Sequence, residues 1–312
     1  MLIYIFRRIS LAVPMLLVLM TLVFFLLRLA PGGPFDADQV WPPEIQANIN
    51  HQYELDLPIW TQYLHWVQGV MQGNLRESFQ YIGTPVSEMI RESLPISLQL
   101  GSLALVLAIL IGIPLGALAA WRPGSLLDRL ITLISIAGVS LPSYLVASVL
   151  ILVFSIRLGW LPPALWEEPA SMILPILTLA WRPMSLIARL VRTSLIEEMG
   201  SDYVRTAHGK GVHPAKVILK HAMKNSLLPV VSLLGPIAAN LLTGSFIVEV
   251  IFQIPGMGKY FVQAVLNRDY PLVMGVTLTY GVILILSNLV ADLLYGSIDP
   301  RVRLENRLGE TA

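Results

Sequence analysis

The residues able to carry chemistry in this chain are few, and most are eliminated by spacing. There is no cysteine, which removes thiol nucleophiles, zinc–thiolate sites and disulfides. His51 and His65 fall in one stretch and His208, His213 and His221 in another. Neither set has the tight spacing of metal ligands, so no metal site is expected. The two Gly-Lys pairs, Gly209-Lys210 and Gly258-Lys259, are followed by Gly211 and Tyr260 where a phosphate-binding loop needs Ser or Thr. Neither H-E-x-x-H nor G-x-S-x-G occurs. What remains is charge in unusual places. Arg182 stands between Trp181 and Pro183 in an apolar stretch, Glu249 and Asp292 lie towards the ends of two others, and a basic run extends from Arg189 to Lys224. A guanidinium at the centre of a bilayer costs about 2.5–3.5 kcal/mol. Arg182 therefore either reaches an interface or a carbonyl freed by Pro183, or lines an aqueous path.

The elements that must position these groups are membrane helices. The 312 residues are 55% hydrophobic and 13% charged, with a mean hydropathy of +0.69, half the charge of an ordinary soluble domain. So much apolar surface excludes disorder, and a net charge of +1 supplies no field for nucleic acid. Stretches free of Asp, Glu, Lys and Arg run over Ile9–Leu27, Ser93–Trp121, Leu130–Ile156, Asn225–Val248 and Pro271–Ala291. Pro169–Ala188 joins them if Arg182 is tolerated. At about 20 residues per crossing, the chain reads as an all-α polytopic protein with six transmembrane helices near 9–29, 95–120, 130–156, 171–190, 226–252 and 272–296. The first is expected to be a retained anchor, because its 19-residue apolar run is long for a signal and Ala30-Pro31 is a poor cleavage site.

Of the 21 Lys and Arg residues, 14 collect on one side and 5 on the other, which assigns both termini to the cytoplasm. Arg28, near the outer end of its helix, is expected to snorkel. The organisation expected is an anchor helix over 1–30, an extracytoplasmic segment over 31–94, a five-helix core over 95–300 and a cytoplasmic tail over 301–312. In the outer segment Ile45, Ile49 and Tyr53, then Ile59, Tyr63, Trp66, Val67 and Val70, suit two short amphipathic helices forming a lid or a receptor surface.

The inner segment, 189–225, is the more informative. Asp202 precedes Tyr203, Val204, Arg205, Thr206 and Ala207, and Gly211 stops that helix as a C′ glycine does. Pro214 suits the first position of a second helix, on which Lys216, Lys220 and Lys224 line one face and Val217, Ile218 and Leu219 offer apolar contact. The product is a compact basic knob, suited to the headgroups or to docking a soluble partner.

Arg205-Thr206-Ala207 followed by Gly211, continuing to Leu227-Leu228-Pro229, resembles the "EAA" coupling loop of bacterial ABC-importer permeases. Arg and Thr stand where the general pattern has Glu and Ala, a variant typical of the peptide and nickel branch. Further matching pieces are Leu29-Ala30-Pro31-Gly32-Gly33-Pro34, Gln62-Tyr63, Gly73, Ser78, Gly112-Ile113-Pro114-Leu115-Gly116, Pro255-Gly256-Met257-Gly258, Asn267-Arg268-Asp269-Tyr270-Pro271 and Asp299-Pro300-Arg301. Together they look most like the B-type permease subunit of oligopeptide importers.

The resemblance implies a type I ABC importer permease fold in a bacterial inner membrane. It implies pairing with a second homologous permease, two cytoplasmic ATPase subunits and an extracytoplasmic peptide-binding protein. No cofactor is expected on this chain; ATP and Mg would belong to the ATPases. Asp202, Arg205, Thr206, Ala207, Lys210, Gly211 and Pro214 would make the ATPase contact. Arg182 departs from the resemblance, which implies an apolar or small residue there; its intramembrane charge, with Trp181 beside it, gives the expectation that it lines the substrate path and meets a peptide carboxylate or a gate partner, while Glu249, Gly256, Gly258 and Asp292 are candidate structural or gating residues. Dipeptide, glutathione and nickel remain open as cargo. An ion-coupled secondary carrier is the competing class, and it would need a carboxylate relay that Glu249 and Asp292 alone do not make.

Overall fold

The computed structural model describes residues 2–30, 33–35, 43–243 and 246–298. The tail over 301–312, Asp299-Pro300 and Pro31-Gly32 lie outside them. The described chain is helical, with an isolated bridge between Glu77 and Pro85. Helix α1 covers Leu2–Leu29, α2 Pro43–Gln52, α3 Ile59–Met71, α4 Val86–Trp121, α5 Leu126–Ser140 and α6 Ser143–Leu150. Then come α7 (Pro169–Met199), α8 (Asp202–Gly209), α9 (Pro214–Lys216), α10 (Met223–Ser226), α11 (Leu228–Leu242), α12 (Phe246–Ile251), α13 (Met257–Leu266) and α14 (Tyr270–Ile298). Wider π-helical turns follow α6 at Ile151–Arg157 and α9 at Val217–Ala222.

Among the described residues, five helical stretches are long and apolar enough to cross a membrane: Ser10–Leu29, Val86–Trp121, Pro169–Met199, Leu228–Ile251 and Tyr270–Leu293. A sixth crossing needs α5 and α6 together, and they bend by 113°. The unbroken helix expected over 130–156 is thereby corrected. Pro142 has no N–H and disfavours the helical region for the residue before it, so Leu141 is extended at φ −77°, ψ 130° and the helix restarts at Ser143.

The chain divides into two units, residues 1–97 with 255–283 and residues 98–254 with 284–312. In the first, Met20 and Phe24 of α1 pack with Trp66, Phe79, Tyr270 and Met274. Phe24 meets Tyr63 edge-on at 5.2 Å, and Tyr53 meets Phe79 at 4.8 Å. Helix α3 thus folds against α1 and the start of α14, while Ile59 and Trp60 stay exposed; the side chains of Ile45 and Ile49 lie outside those described. Arg28, near the outer end of α1, finds its partners in the outer segment and on its own helix. Its Nη2 donates to Gln62 Oε1 at 2.8 Å and its guanidinium lies 3.5 Å from the Phe24 ring centroid. Gln62 in turn donates to the Leu57 carbonyl at 2.8 Å, so one amide ties the outer turn to the first helix.

The second unit is built on α7, against which α5, α6 and α11 pack. Small residues bring α4 to it as well. A Cβ on Gly112 would lie 2.8 Å from the Met184 carbonyl oxygen, and one on Gly116 would lie 2.5 Å from that of Ala188. This is the close backbone approach that a G-x-x-x-G spacing permits between membrane helices. Gly138 of α5 does the same against Ser185, whose Oγ would be 1.9 Å from an added Cβ. Gly116→Val is expected to abolish the folded, monodisperse protein in detergent. Gly209→Ala, where an added Cβ meets open space, should preserve it by size-exclusion chromatography.

Candidate functional site

The inner segment folds into a closed helix–turn–helix device. Asp202 opens α8, exposed and 3.7 Å from Arg205 Nη1, and Thr206 Oγ1 donates to the Asp202 carbonyl at 2.8 Å. The helix ends in a complete Schellman motif: Val212 N–H donates to the Ala207 carbonyl at 3.2 Å and Gly211 N–H to the His208 carbonyl at 2.9 Å. Gly211 has φ +74°, the left-handed conformation expected of it. His213 then caps the next helix, its Nδ1 accepting from Ala215 N–H at 3.3 Å, with Pro214 at the first helical position.

Val204 and Ala207 are buried with Val217, Ile218 and Ala222, with Leu195 of α7, and with Ala120 at the end of α4. Leu219, expected to share that contact, is exposed. Across the π turn over Val217–Ala222 and the helix after it, the buried positions are 217, 218, 222 and 226, which form one face. Tyr203 fastens the outer side: its hydroxyl donates to Glu198 and accepts from Asn225 Nδ2 at 3.1 Å. Burial, with the Glu198 carboxylate next, pushes the Tyr203 phenol pKa up. Arg205, Thr206, Lys210, Gly211 and Pro214 remain exposed on one continuous segment.

Beside this device lies an ion pair that spacing does not reveal. Asp128 of α5 is 2% exposed and accepts from Arg192 Nη2 at 2.9 Å and from Gly124 N–H at 2.8 Å. The partners are 64 residues apart in sequence. Only Ser125, whose Oγ caps the Asp128 N–H at 3.2 Å, could have marked Asp128 as a helix-start residue.

The remaining candidates do not form a single cluster. Arg182 is exposed at mid-span of α7, and Trp181 is half-buried with its indole N–H buried and unpartnered among the described residues. Glu249 is fully buried on α12, where its carbonyl accepts from Ile254 N–H at 2.8 Å. Asp292 follows the point where α11 meets α14, a Cβ on Gly235 falling 2.8 Å from that of Ala291. Gly256 and Gly258 belong to the first unit, where Gly256 precedes α13 and the Met257 N–H donates to Ser97 Oγ at 2.8 Å. No group of three His or carboxylate side chains able to hold a metal ion occurs among the described residues.

In the first unit two separately noted motif pieces meet. Ser78 donates its hydroxyl to the buried Asp269, whose other oxygen caps α14 by accepting Leu272 N–H at 3.2 Å. Nearby, Glu54 takes Arg76 Nη2 at 2.5 Å and pairs with His65 Nδ1 at 3.1 Å, bordering a polar cleft of about 560 Å³. The Arg76 hydrogen bond, then that of His65, lowers the Glu54 pKa below the ordinary 4.5. Its stabilising contribution is therefore complete above 4.5 and lost as pH falls through the lower folded value. Hydrogen-exchange protection of the Glu54–Arg76 segment is expected to fall only as pH is lowered below 4.5, and Glu54→Gln should flatten that change.

Comparison with known proteins fits this architecture. Residues 112–304 match the family described as binding-protein-dependent transport system inner membrane component, and residues 1–100 match the N-terminal region of such membrane components. The oligopeptide transport system permease protein OppB of Haemophilus influenzae is 42% identical over 305 residues, covering 97% of this chain and 100% of that protein. The dipeptide transport system permease protein DppB of Bacillus subtilis is 40% identical over 304 residues, covering 97% and 99%. Among solved structures, an inward-facing MetNI methionine ABC transporter in a CY5 native crystal form superposes with a TM-score of 0.54 at 17% identity, covering 68% of this chain and 96% of that one. That likeness extends the correspondence to the fold. With both family matches and near-complete relatives in hand, the chain belongs to the inner membrane components of binding-protein-dependent transport systems.

Proposed function

We propose that this chain is one permease subunit of an ABC importer that moves oligopeptides into the cytoplasm of a bacterium by alternating access across its inner membrane. A second, homologous permease completes the path. Two cytoplasmic ATPase subunits, which hold ATP and Mg, drive it, and an extracytoplasmic peptide-binding protein delivers cargo. The observation that carries this function is the helix–turn–helix device at Asp202–Ser226. It is internally hydrogen-bonded, seated on α7 through Leu195, and presents Arg205, Thr206, Lys210 and Pro214 outward. A knob whose own backbone is satisfied can press into a groove without unfolding. Peptide cargo is supported by the OppB and DppB relatives, and their similar identities, 42% and 40%, keep dipeptides as the second cargo to be tested.

Affinity purification of the tagged chain from native membranes is expected to bring down a second permease and the ATPase subunits, with ATP hydrolysis sensitive to vanadate. Peptide uptake by this chain alone, driven by an ion gradient and indifferent to vanadate, would assign it to the secondary carriers instead.

A further inference from the structure

The uncovered edge of α7 is polar and carries unpaired positive charge. Counting along the helix, Arg182, Leu186, Arg189, Thr193 and Glu197 fall on one line, at steps of three and four residues. Arg182, Arg189, Thr193 and Glu197 are exposed and Leu186 is half-buried. The same line towards the start of the helix passes through Ser171, Pro175 and Thr178, all of which are buried. The line is thus covered down to Thr178 and open from Arg182 onward. Arg182 and Arg189 sit two turns apart, about 10 Å, and neither meets a carboxylate or a hydrogen-bond acceptor among the described residues. Arg192, on another side of the same helix, is by contrast paired with Asp128 through Nε and Nη2.

Resting on the importer function given above, we propose that Arg182, with Arg189 one heptad below it, binds the free C-terminal carboxylate of the peptide cargo as it enters the inner half of the path. An intramembrane guanidinium is tolerated where water or an anion meets it, and a planar guanidinium matches a carboxylate with two parallel hydrogen bonds. The C-terminal carboxylate is common to all linear peptides whatever their side chains, so a fixed arginine can hold it without selecting sequence. The same two charges repel a metal cation, which disfavours nickel as cargo.

The test uses the complete importer in proteoliposomes with its binding protein, and a pair of otherwise identical peptides, one with a free C-terminus and one amidated. Each uptake rate is normalised to the wild type for that peptide, so the receptor's own preference cancels. Arg182→Gln is expected to lower uptake of the free acid about tenfold, the loss of one charge-assisted pair, while the amide stays within about twofold of wild type. Arg182→Lys should restore part of the acid uptake, and Arg189→Gln should give a smaller change in the same direction, which also serves if the first variant fails to assemble. An equal fall for both peptides would make Arg182 a gate or assembly residue, and no change in either would remove it from the path; both overturn the proposal. Absence of ATP-dependent uptake of either peptide by the wild type would overturn the importer function itself.

Discussion

A Gly211→Val importer is expected to assemble, to hydrolyse ATP, and to lose peptide uptake by about tenfold or more. The cause is conformational. A Cβ at this position would meet nothing within 4 Å, so a side chain has room, but φ is +74° and a β-branched residue resists that region. The penalty is about 1–3 kcal/mol, enough to shift the turn to another conformation for much of the time. When it shifts, the Gly211 and Val212 N–H bonds are lost together, and Val212 leaves the cluster formed by Ala207 and Val217. The hydrophobic seat on Leu195 and Ala120 remains, which is why assembly should survive. A graded series supports the cause: Asn, which tolerates the left-handed region, should retain most uptake, Ala less and Val least. Phosphate release and labelled-peptide uptake measured on the same proteoliposomes give the coupling ratio, and full transport by the Val variant would refute the expectation.

Arg192→Ala should be the most destabilising charge removal described, at about 3–5 kcal/mol. It strands Asp128, which is 2% exposed, with only the Gly124 N–H and the Thr132 hydroxyl at 3.3 Å. Asp128→Asn keeps much of the geometry and should cost less. The informative variant replaces both partners with leucine, since apolar pairs of similar volume often restore stability. If the pair only holds α5 to α7, this double variant transports normally. We expect restored thermal stability in detergent and still-impaired transport, because Arg192 lies one turn before Leu195 and fixes the helix on which the coupling device sits. Normal uptake by a stable double variant would reduce the pair to a structural tie.

What the sequence makes legible is what short-range chemistry encodes. Gly211 and Pro214 announce a turn whose backbone needs are local, and the structure places both as their residue types require. The span positions follow from hydropathy for the same reason. The break at Leu141-Pro142 was also written locally, but the charge-free run over Leu130–Ile156 masked it, because hydropathy has no direction. Partnerships across long separations were not legible. Arg28 looked free to reach water until Gln62, 34 residues on, is seen to accept it. Asp269 and Ser78, 191 residues apart, were two motif fragments with no stated relation. Leu219 is exposed because three consecutive helical positions, about 100° apart, cannot all face one neighbour, and Val217 and Ile218 already take the buried side.

Helix α7 is one uninterrupted member of 31 residues, about 46 Å long. It carries Leu195 in the seat of the coupling device and Arg182 about 20 Å away. Pro183, immediately beside Arg182, removes one rung of the backbone ladder, as Pro175 does two turns earlier. In the importer proposed above, a push delivered at the cytoplasmic end would reach Arg182 along this one continuous helix. The stroke of the motor and the grip on the load would then not be relayed between parts; they would be two ends of one beam.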